Sequence, residues 1–254
     1  MARIFITGSS DGIGLLIAKS LISSGHEVVL HARNDQRAAD ALRAAPGAAS
    51  VLVADLSSIQ ANIGLAHEAN KTGGFDAVIH NAGVGYREPR RGNTVDGLPP
   101  VFAVNSLSPY ILTSLINRPK RIVYTSSGLH RQGDGSLEDL EWNQRTWSGY
   151  NAYSDSKLHD VLLAFAVARK WEDVYSNAVE PGWVATKMGG AGAPDSLSDA
   201  PKTQVWLATG DDAKVTGRYY FHEREQGVHA AAFQADVQDR LLAECERISG
   251  VKFE

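Results

Sequence analysis

Short runs of β-branched and apolar residues alternate with stretches of helical periodicity along the chain. That alternation is the signature of β-α-β units, in which parallel strands are joined by right-handed crossovers. The first apolar run, Ile4-Phe5-Ile6, leads into an amphipathic stretch from Leu15 to Ile22. Further strand patterns lie at Glu27 to Ala32, Ser50 to Ala54, Asp76 to His80, Arg121 to Ser126 and Tyr175 to Val179, with a seventh at Arg218 to Phe221. Helical periodicity marks Gln36 to Ala45, Ile59 to Lys71, Pro99 to Leu115 and Asn151 to Trp171. The pattern predicts an α/β fold, a doubly wound parallel sheet of about seven strands with helices on both faces. No repeat or linker divides the 254 residues, so one domain spanning 1–254 is expected. Gly189 to Asp199 stands out from the short loops by its Gly, Ala, Pro and Ser content, and predicts a lid around 187–200 or a disordered segment.

Composition narrows the chemistry. A single cysteine, Cys245, excludes an internal disulfide and a multi-cysteine metal site, and the eight histidines include no His-Glu-x-x-His spacing, so no metal is expected. A net charge of −4 argues against nucleic-acid or anionic-membrane partners. The one basic cluster, Arg87 to Arg91, reads as a solvated loop, the alternative being that it flanks an active-site mouth. No apolar run approaches the ~18 residues of a membrane span, and the first strand begins almost at Met1, so neither leader nor anchor is expected and the location is read as cytoplasmic.

The candidate chemistry begins between the first strand and helix, at Thr7-Gly8-Ser9-Ser10-Asp11-Gly12-Ile13-Gly14. A glycine-rich strand-to-helix turn suits a dinucleotide pyrophosphate: Gly8 permits the tight turn, Gly12 a close approach of backbone to phosphate, and Gly14 close packing of the helix. The spacing, Gly-x3-Gly-x-Gly, differs from the commonest fingerprint, Gly-x-Gly-x2-Gly. In such sheets ligands sit beyond the carboxyl ends of the strands, where this chain places Arg33 with Arg37 a turn later, Asp55, Asn81-Ala82-Gly83 and Pro181-Gly182-Trp183. Arginine there can fork onto a ribose 2′-phosphate. Each group alone reads equally well as turn chemistry; together they line one edge. The long helix opens with the chain's one Tyr-x3-Lys, Tyr153 and Lys157, a turn apart on one face. A phenol titrates near 10, so acid/base work at neutrality needs a depression of roughly 3 units, about 4 kcal/mol, which the ammonium can help supply.

With these motifs in order, the chain resembles the short-chain dehydrogenases/reductases of the compact single-domain branch over nearly its full length. More narrowly, Thr94-Val95-Asp96-Gly97-Leu98 with Phe102-Ala103-Val104-Asn105, Asp139-Leu140-Glu141-Trp142, and Leu241-Leu242 through Ile248 resemble the retinol-dehydrogenase-like and WW-domain-oxidoreductase-like group. The resemblance implies a catalytic set of Asn105, Ser127, Tyr153 and Lys157. Tyr153 is the general acid or base. Ser127 binds the substrate oxygen, with Ser126 the competing assignment. Lys157 lowers the phenol pKa and holds the nicotinamide ribose, and Asn105 kinks its helix and helps hold a relay water. It implies cofactor contacts from Gly8, Ser10, Asp11, Gly12, Ile13 and Gly14 in the first turn. Arg33, Asp55 and Leu56 follow the next two strands. Asn81, Ala82, Gly83, Tyr153 and Lys157 line the cleft, and Pro181, Gly182, Val184 and Thr186 close the far side, Thr186 toward the carboxamide. Two departures stand out. Ser127 and Tyr153 lie 26 positions apart, about twice the family's usual gap, and Asp11 stands where NADP-preferring members often carry a basic residue.

The expected activity is hydride transfer between NADP(H) and a carbonyl or alcohol. Arg33, with Ala32 rather than an acid before it, favours NADP(H), and NAD(H) is the alternative. The other readings are a sugar-nucleotide epimerase or dehydratase, whose glycine spacing and substrate domain differ, and a non-catalytic NADP-sensing regulator, which would not need the Tyr-Lys pair. Tyr86, Leu129, His130, Trp147, Tyr150, Trp183 and Met188 suggest an apolar or aromatic substrate pocket. Pro109 and the break at Asn117-Arg118-Pro119 shorten the helix through which relatives form dimers, so a monomer or weak homodimer is expected. Leu163 and Val167 are left either as a partner surface or as core.

Overall fold

A computed structural model describes residues 1–254. The strands are β1 (Arg3–Ile6), β2 (Glu27–Ala32), β3 (Ser50–Val53), β4 (Ala77–His80), β5 (Arg121–Thr125), β6 (Tyr175–Glu180), β7 (Arg218–Phe221) and β8 (Arg224–Glu225). They form one sheet in the order β3-β2-β1-β4-β5-β6-β7-β8, parallel except for β8, which runs antiparallel to β7. This eighth strand goes beyond the expected seven. It returns through His222 and Glu223, both left-handed (φ 48° and 59°), as a two-residue hairpin turn requires.

Helices cover both faces, and alternate strand residues feed different layers. Ile4, Ile6, Ile79 and Val179 pack against α1 (Gly12–Ser23), α2 (Asp35–Ala44) and α7 (Lys202–Thr209) through Ile17, Ala41 and Leu207. Phe5 and Val78 face the opposite way, onto Leu65 of α3 (Ile59–Lys71) and Leu112 of α5 (Ser108–Leu115). On that side Ile122, Tyr124 and Ala178 meet Leu158 and Leu162 of α6 (Gly149–Lys170). Double-sided burial is why these strands read as continuous apolar runs.

The helix expected over 99–115 is α4 (Pro100–Phe102), a π-turn at Ala103–Leu107, and α5. The wide turn includes Asn105, and the Ser108 N–H bridges five residues back to the Ala103 carbonyl. Pro109 falls in the first turn of α5, where a missing N–H costs little, so it continues the helix rather than interrupting it. Two helices beyond those the periodicity predicts are α7 and α8 (Ala235–Ser249). Helix α8 lays Val237, Leu241, Leu242 and Cys245 into the α6 core, and the tail follows, with Phe253 stacked on Trp171 and the Tyr110 hydroxyl donating to the Val251 carbonyl. As a result α6 is buried within its own chain from Ala152 to Val167, Leu163 included. Arg91 is not a solvated loop residue: it donates to the Glu141 carbonyl (2.8 Å) and to Asn143 Oδ1 (3.1 Å). No helix is long and apolar enough to cross a membrane.

Four histidines lie in the core. Burial pushes His31 and His130 down to about 4, and His80 and His159 to about 3. The unfolded chain takes up these protons near 6.5 and the native state does not, so stability present above that pH is lost as pH falls toward 4, at about 1.4 kcal/mol per unit for each group. Asp160, pushed up to about 6 by burial, and Asp155, also raised by burial, act in the opposite sense but are outnumbered by the four histidines. The urea midpoint should therefore drop clearly between pH 7 and pH 5. An unchanged midpoint would contradict this assignment.

Candidate active site

Two of the three glycines in the β1–α1 turn are fixed by close approach. A Cβ on Gly8 would lie 2.7 Å from the Ala82 Cα, and one on Gly14 would lie 2.4 Å from both the Gly8 carbonyl oxygen and Asn81 Nδ2. Gly12 is left-handed (φ 54°), and a Cβ there would meet nothing within 4 Å. Gly8 and Gly14 thus press the turn onto the segment after β4, while Gly12 leaves an open face at a helix start, where first-turn N–H groups lack intrahelical partners. Thr7 Oγ1 accepts the N–H groups of Asn81 (3.0 Å) and Ala82 (3.1 Å), and Asn81 Nδ2 donates to the carbonyls of Thr7 and Gly8. His31, which sequence reasoning did not single out, braces the turn from β2. Its Nδ1 accepts the Gly8 N–H (2.9 Å), which leaves Nε2 to donate to the Ala54 carbonyl (3.0 Å).

Asp11 caps α1 through the Gly12 N–H (2.8 Å) and pairs with Arg37 (3.3 Å) and with Lys187 from the loop after β6. Lys187 contributes most to holding its carboxyl down at about 2. Arg37 also donates to Ser10 Oγ (3.2 Å). The acid of the glycine turn therefore orients the Arg37 guanidinium at the edge of the cleft. Arg33 and Asp55 are exposed beside it, Ile13 is half-buried, and Leu56 is buried. Across the cleft Asp195 accepts the Trp183 N–H (2.5 Å) in the Pro181-Gly182-Trp183 turn, Val184 is buried and bridges to Asp195, and Thr186 Oγ1 accepts the Gly189 N–H (3.2 Å).

Tyr153 and Lys157 project from α6, whose first turn is capped by Ser148. The phenol is 7% exposed, edge-on to Tyr86 (5.7 Å), with Met188 Sδ 4.0 Å from its hydroxyl. Ser126 is committed elsewhere, donating to the Lys157 carbonyl (2.7 Å), whereas the Ser127 hydroxyl accepts the Leu129 N–H (3.3 Å) and favours the ionised form of the Tyr153 phenol. Lys157 Nζ donates to the Thr125 carbonyl and to Asp160 Oδ2, both at 2.8 Å, and a Cβ on Gly83 would stand 3.7 Å from it. Asn105 accepts the Val84 N–H (2.8 Å) and donates to the Val84 carbonyl and to Ser156 Oγ, locking the segment after β4 to α6. Its side-chain amide is thus mostly engaged by protein.

Lys157 pulls the Tyr153 phenol down as expected, but it does not prevail over burial. Burial pushes Tyr153 above the ordinary tyrosine value, Lys157 and Ser127 pull it down, and Asp160 and Tyr86 push it up, for a net rise. Asp160 escaped the sequence reading, although Lys-x2-Asp on a helix was visible. The long gap between Ser127 and Tyr153 is folded around carboxylates. Asp139 accepts the N–H groups of Asn143, Gln144 and Arg145, and Arg145 lies 3.9 Å from the Trp142 ring while pairing with Asp134 and Asp155. His130, expected in the pocket, is wholly buried against Tyr219 (4.5 Å).

The short chain dehydrogenase family profile matches residues 2–137. Short-chain dehydrogenase chry4 of Gibberella zeae is 44% identical over 257 residues, spanning 99% of this chain and 98% of its own. Human retinol dehydrogenase 13 is 28% identical, spanning 98% and 85% respectively. A Mycobacterium paratuberculosis crystal structure superposes with a TM-score of 0.86 at 26% identity, covering 100% of this chain and 95% of that one.

The two glycine environments make unequal demands. Gly14→Ala must displace a carbonyl and an amide and should cost more than about 2 kcal/mol, as overpacking does. Gly12→Ala, in open space, should cost only the left-handed penalty of about 1–2 kcal/mol. Urea denaturation of the two variants measures the difference, and equal losses would refute it.

Proposed function

The chain belongs to the short-chain dehydrogenase family, and from that membership we propose that it is an NADP(H)-dependent oxidoreductase acting on a carbonyl or alcohol, with Tyr153 as its general acid and base. The observation that carries the reading is the convergence of Tyr153, Ser127 and Lys157 beside the glycine turn, at the carboxyl edge of β1, β4 and β5. The residues present fit a dinucleotide: Gly12 leaves an open cradle and Arg37 is held at its rim by Ser10 and Asp11. A bound nicotinamide supplies or accepts the hydride.

The protein's part is to position and to move a proton. Ser127 donates a hydrogen bond to the substrate carbonyl oxygen, or accepts one from the alcohol, and Tyr153 gives its phenolic proton in reduction or accepts one in oxidation. Lys157, with one N–H left after Thr125 and Asp160 are served, reaches the nicotinamide ribose. Gly8 to Gly14 receive the pyrophosphate, and Arg33 and Arg37 the 2′-phosphate. Asp55 and Leu56 flank the adenine, Asn81 to Gly83 line the cleft floor, and Pro181, Gly182, Val184 and Thr186 close over the carboxamide. Asn105 serves as a positioning residue. Residues 187–200 act as a lid on a single domain, latched by Lys187 on Asp11. Tyr86, Tyr150, Met188 and the exposed Trp183 give the mouth an apolar, aromatic lining, which suits an apolar substrate such as the one that names the retinol dehydrogenase relative.

NADPH should bind more tightly than NADH, and the double variant Arg33→Asp/Arg37→Ala should erase that preference. Hydrogen exchange over 187–200 should slow when NADPH is added. Tyr153→Phe should lower kcat by about 10²–10⁴-fold while sparing NADPH affinity. Retained turnover would refute the acid/base role, and equal NADH binding by the unaltered protein the cofactor preference. The burial of α6 under α8 and the C-terminal tail supports a monomer or weak homodimer. Light scattering at micromolar concentration checks this, and a tetramer that survives dilution would count against it.

A further inference from the structure

We propose that Asp160 is a positioning residue for the proton transfer: paired with Lys157 in the interior, its carboxylate offsets the ammonium field at the Tyr153 phenol and poises the enzyme as a carbonyl reductase. The inference rests on the acid/base reading of Tyr153 given above. Asp160 Oδ2 lies 2.8 Å from Lys157 Nζ, with the two side chains 3% and 6% exposed. Tyr153, Lys157 and Asp160 follow one another at i, i+4 and i+7 on one rigid helix, so the carboxylate sits one turn beyond the ammonium. Because the ammonium is fixed from behind by Asp160 and the Thr125 carbonyl, it keeps a single N–H for the cleft.

The surroundings leave Asp160 as the anion of this group. From α6 it faces Lys157, the charged group that acts on it. From β5 it faces Tyr124, which burial keeps protonated and whose hydroxyl is shared with Thr113 of α5. Thr113 in turn meets His80 of β4, a neutral imidazole at the core. Around the phenol itself stand Ser127 after β5, Tyr86 after β4 and, from β7, Tyr219, which burial keeps protonated and whose hydroxyl donates to Glu180 Oε2 (2.7 Å). An unopposed ammonium beneath a phenol favours the phenolate, the form that accepts a proton in alcohol oxidation. The ion pair removes most of that field, and burial then favours the phenol, the form that donates a proton in carbonyl reduction.

The sign of the effect is fixed by electrostatics. Removing a nearby negative charge while Lys157 stays charged stabilises the phenolate, so Tyr153 must titrate lower. Asp160→Asn keeps the size of the side chain and an oxygen facing Lys157. In this variant, tyrosinate absorbance, taken as the difference from the matching Tyr153→Phe background, should appear about one pH unit or more lower than in the unaltered protein. The basic limb of kcat/KM for carbonyl reduction should move down with it, and alcohol oxidation should gain at lower pH.

A buried pair broken on one side is strongly destabilising, so the variant K157M/D160N, which removes both charges, serves as the second arm. Its tyrosinate midpoint should return toward that of the unaltered protein. A folded Asp160→Asn variant whose tyrosinate midpoint and basic limb stay in place overturns the proposal, as does a uniform fall in kcat/KM without a shift in pH, which would mark a purely structural pair. A K157M/D160N midpoint as low as that of Asp160→Asn alone overturns it too. The absorbance titration reads the Asp160 effect without turnover, whereas an active Tyr153→Phe enzyme would refute only the acid/base role of Tyr153.

Discussion

The burial of α6 is the constraint on which the rest of the site depends. A helix enclosed on all sides is ordinarily apolar, yet this one carries Ser154, Asp155, Ser156, Lys157, His159 and Asp160 in succession, each less than a tenth exposed. Buried polar groups must be paired, and here several of the pairings tie α6 to other parts of the fold. Asp155 holds the segment after β5 through Arg145 and the Asp134 N–H. Ser156 holds Asn105 in the π-turn, His159 meets Ser106 in the same turn, and Lys157 is fixed by β5 and Asp160. Satisfying the helix and positioning the Tyr153 phenol are one and the same packing problem.

The same requirement accounts for the departures from regular structure. The π-turn at 103–107 offers α6 two consecutive polar side chains, Asn105 and Ser106. The segment from 133 to 148 puts Leu137 and Trp142 in left-handed backbone (φ 57° and 54°), a strain of about 1–3 kcal/mol for each residue. That cost is offset where Asp139 gathers three N–H groups and Arg145 lies over Trp142. Helix α8 and the tail then cover the outer side of α6, which a shorter chain would expose.

The glycine turn works by a different physical means. Its shape is set by contact distances rather than by charge: Gly8 and Gly14 exist so that backbone can lie against Ala82 and Asn81. Polar residues complete the fit from both sides, Thr7 toward β4 and His31 toward β2. A dinucleotide cradle of this kind is therefore part of the sheet's own packing at the point where strand order reverses between β1 and β4.

Much of this was legible in the chain alone. Double-sided burial leaves apolar runs, so strands β1 to β7 could be read from Ile4-Phe5-Ile6 onward, and the glycine turn and Tyr153-x3-Lys157 are local spacings that chemistry interprets directly. The outline of α8 was there too, in Val237, Leu241, Leu242 and Cys245, but went unread. What remained hidden depends on distance through space. The β7–β8 hairpin turns on His222 and Glu223, whose left-handed backbone has no signal in their identity. Asp11 stands in the chain as a lone acid, and its pairing with Arg37 and Lys187 exists only in the fold. Lys157 does lower the phenol, but the opposing effects of burial and of Asp160 are visible only in the fold. Sequence fixes which charges exist and where along a helix they recur. Only the tertiary structure decides which of them are buried together, and in a medium of low dielectric that decides which charge governs the chemistry.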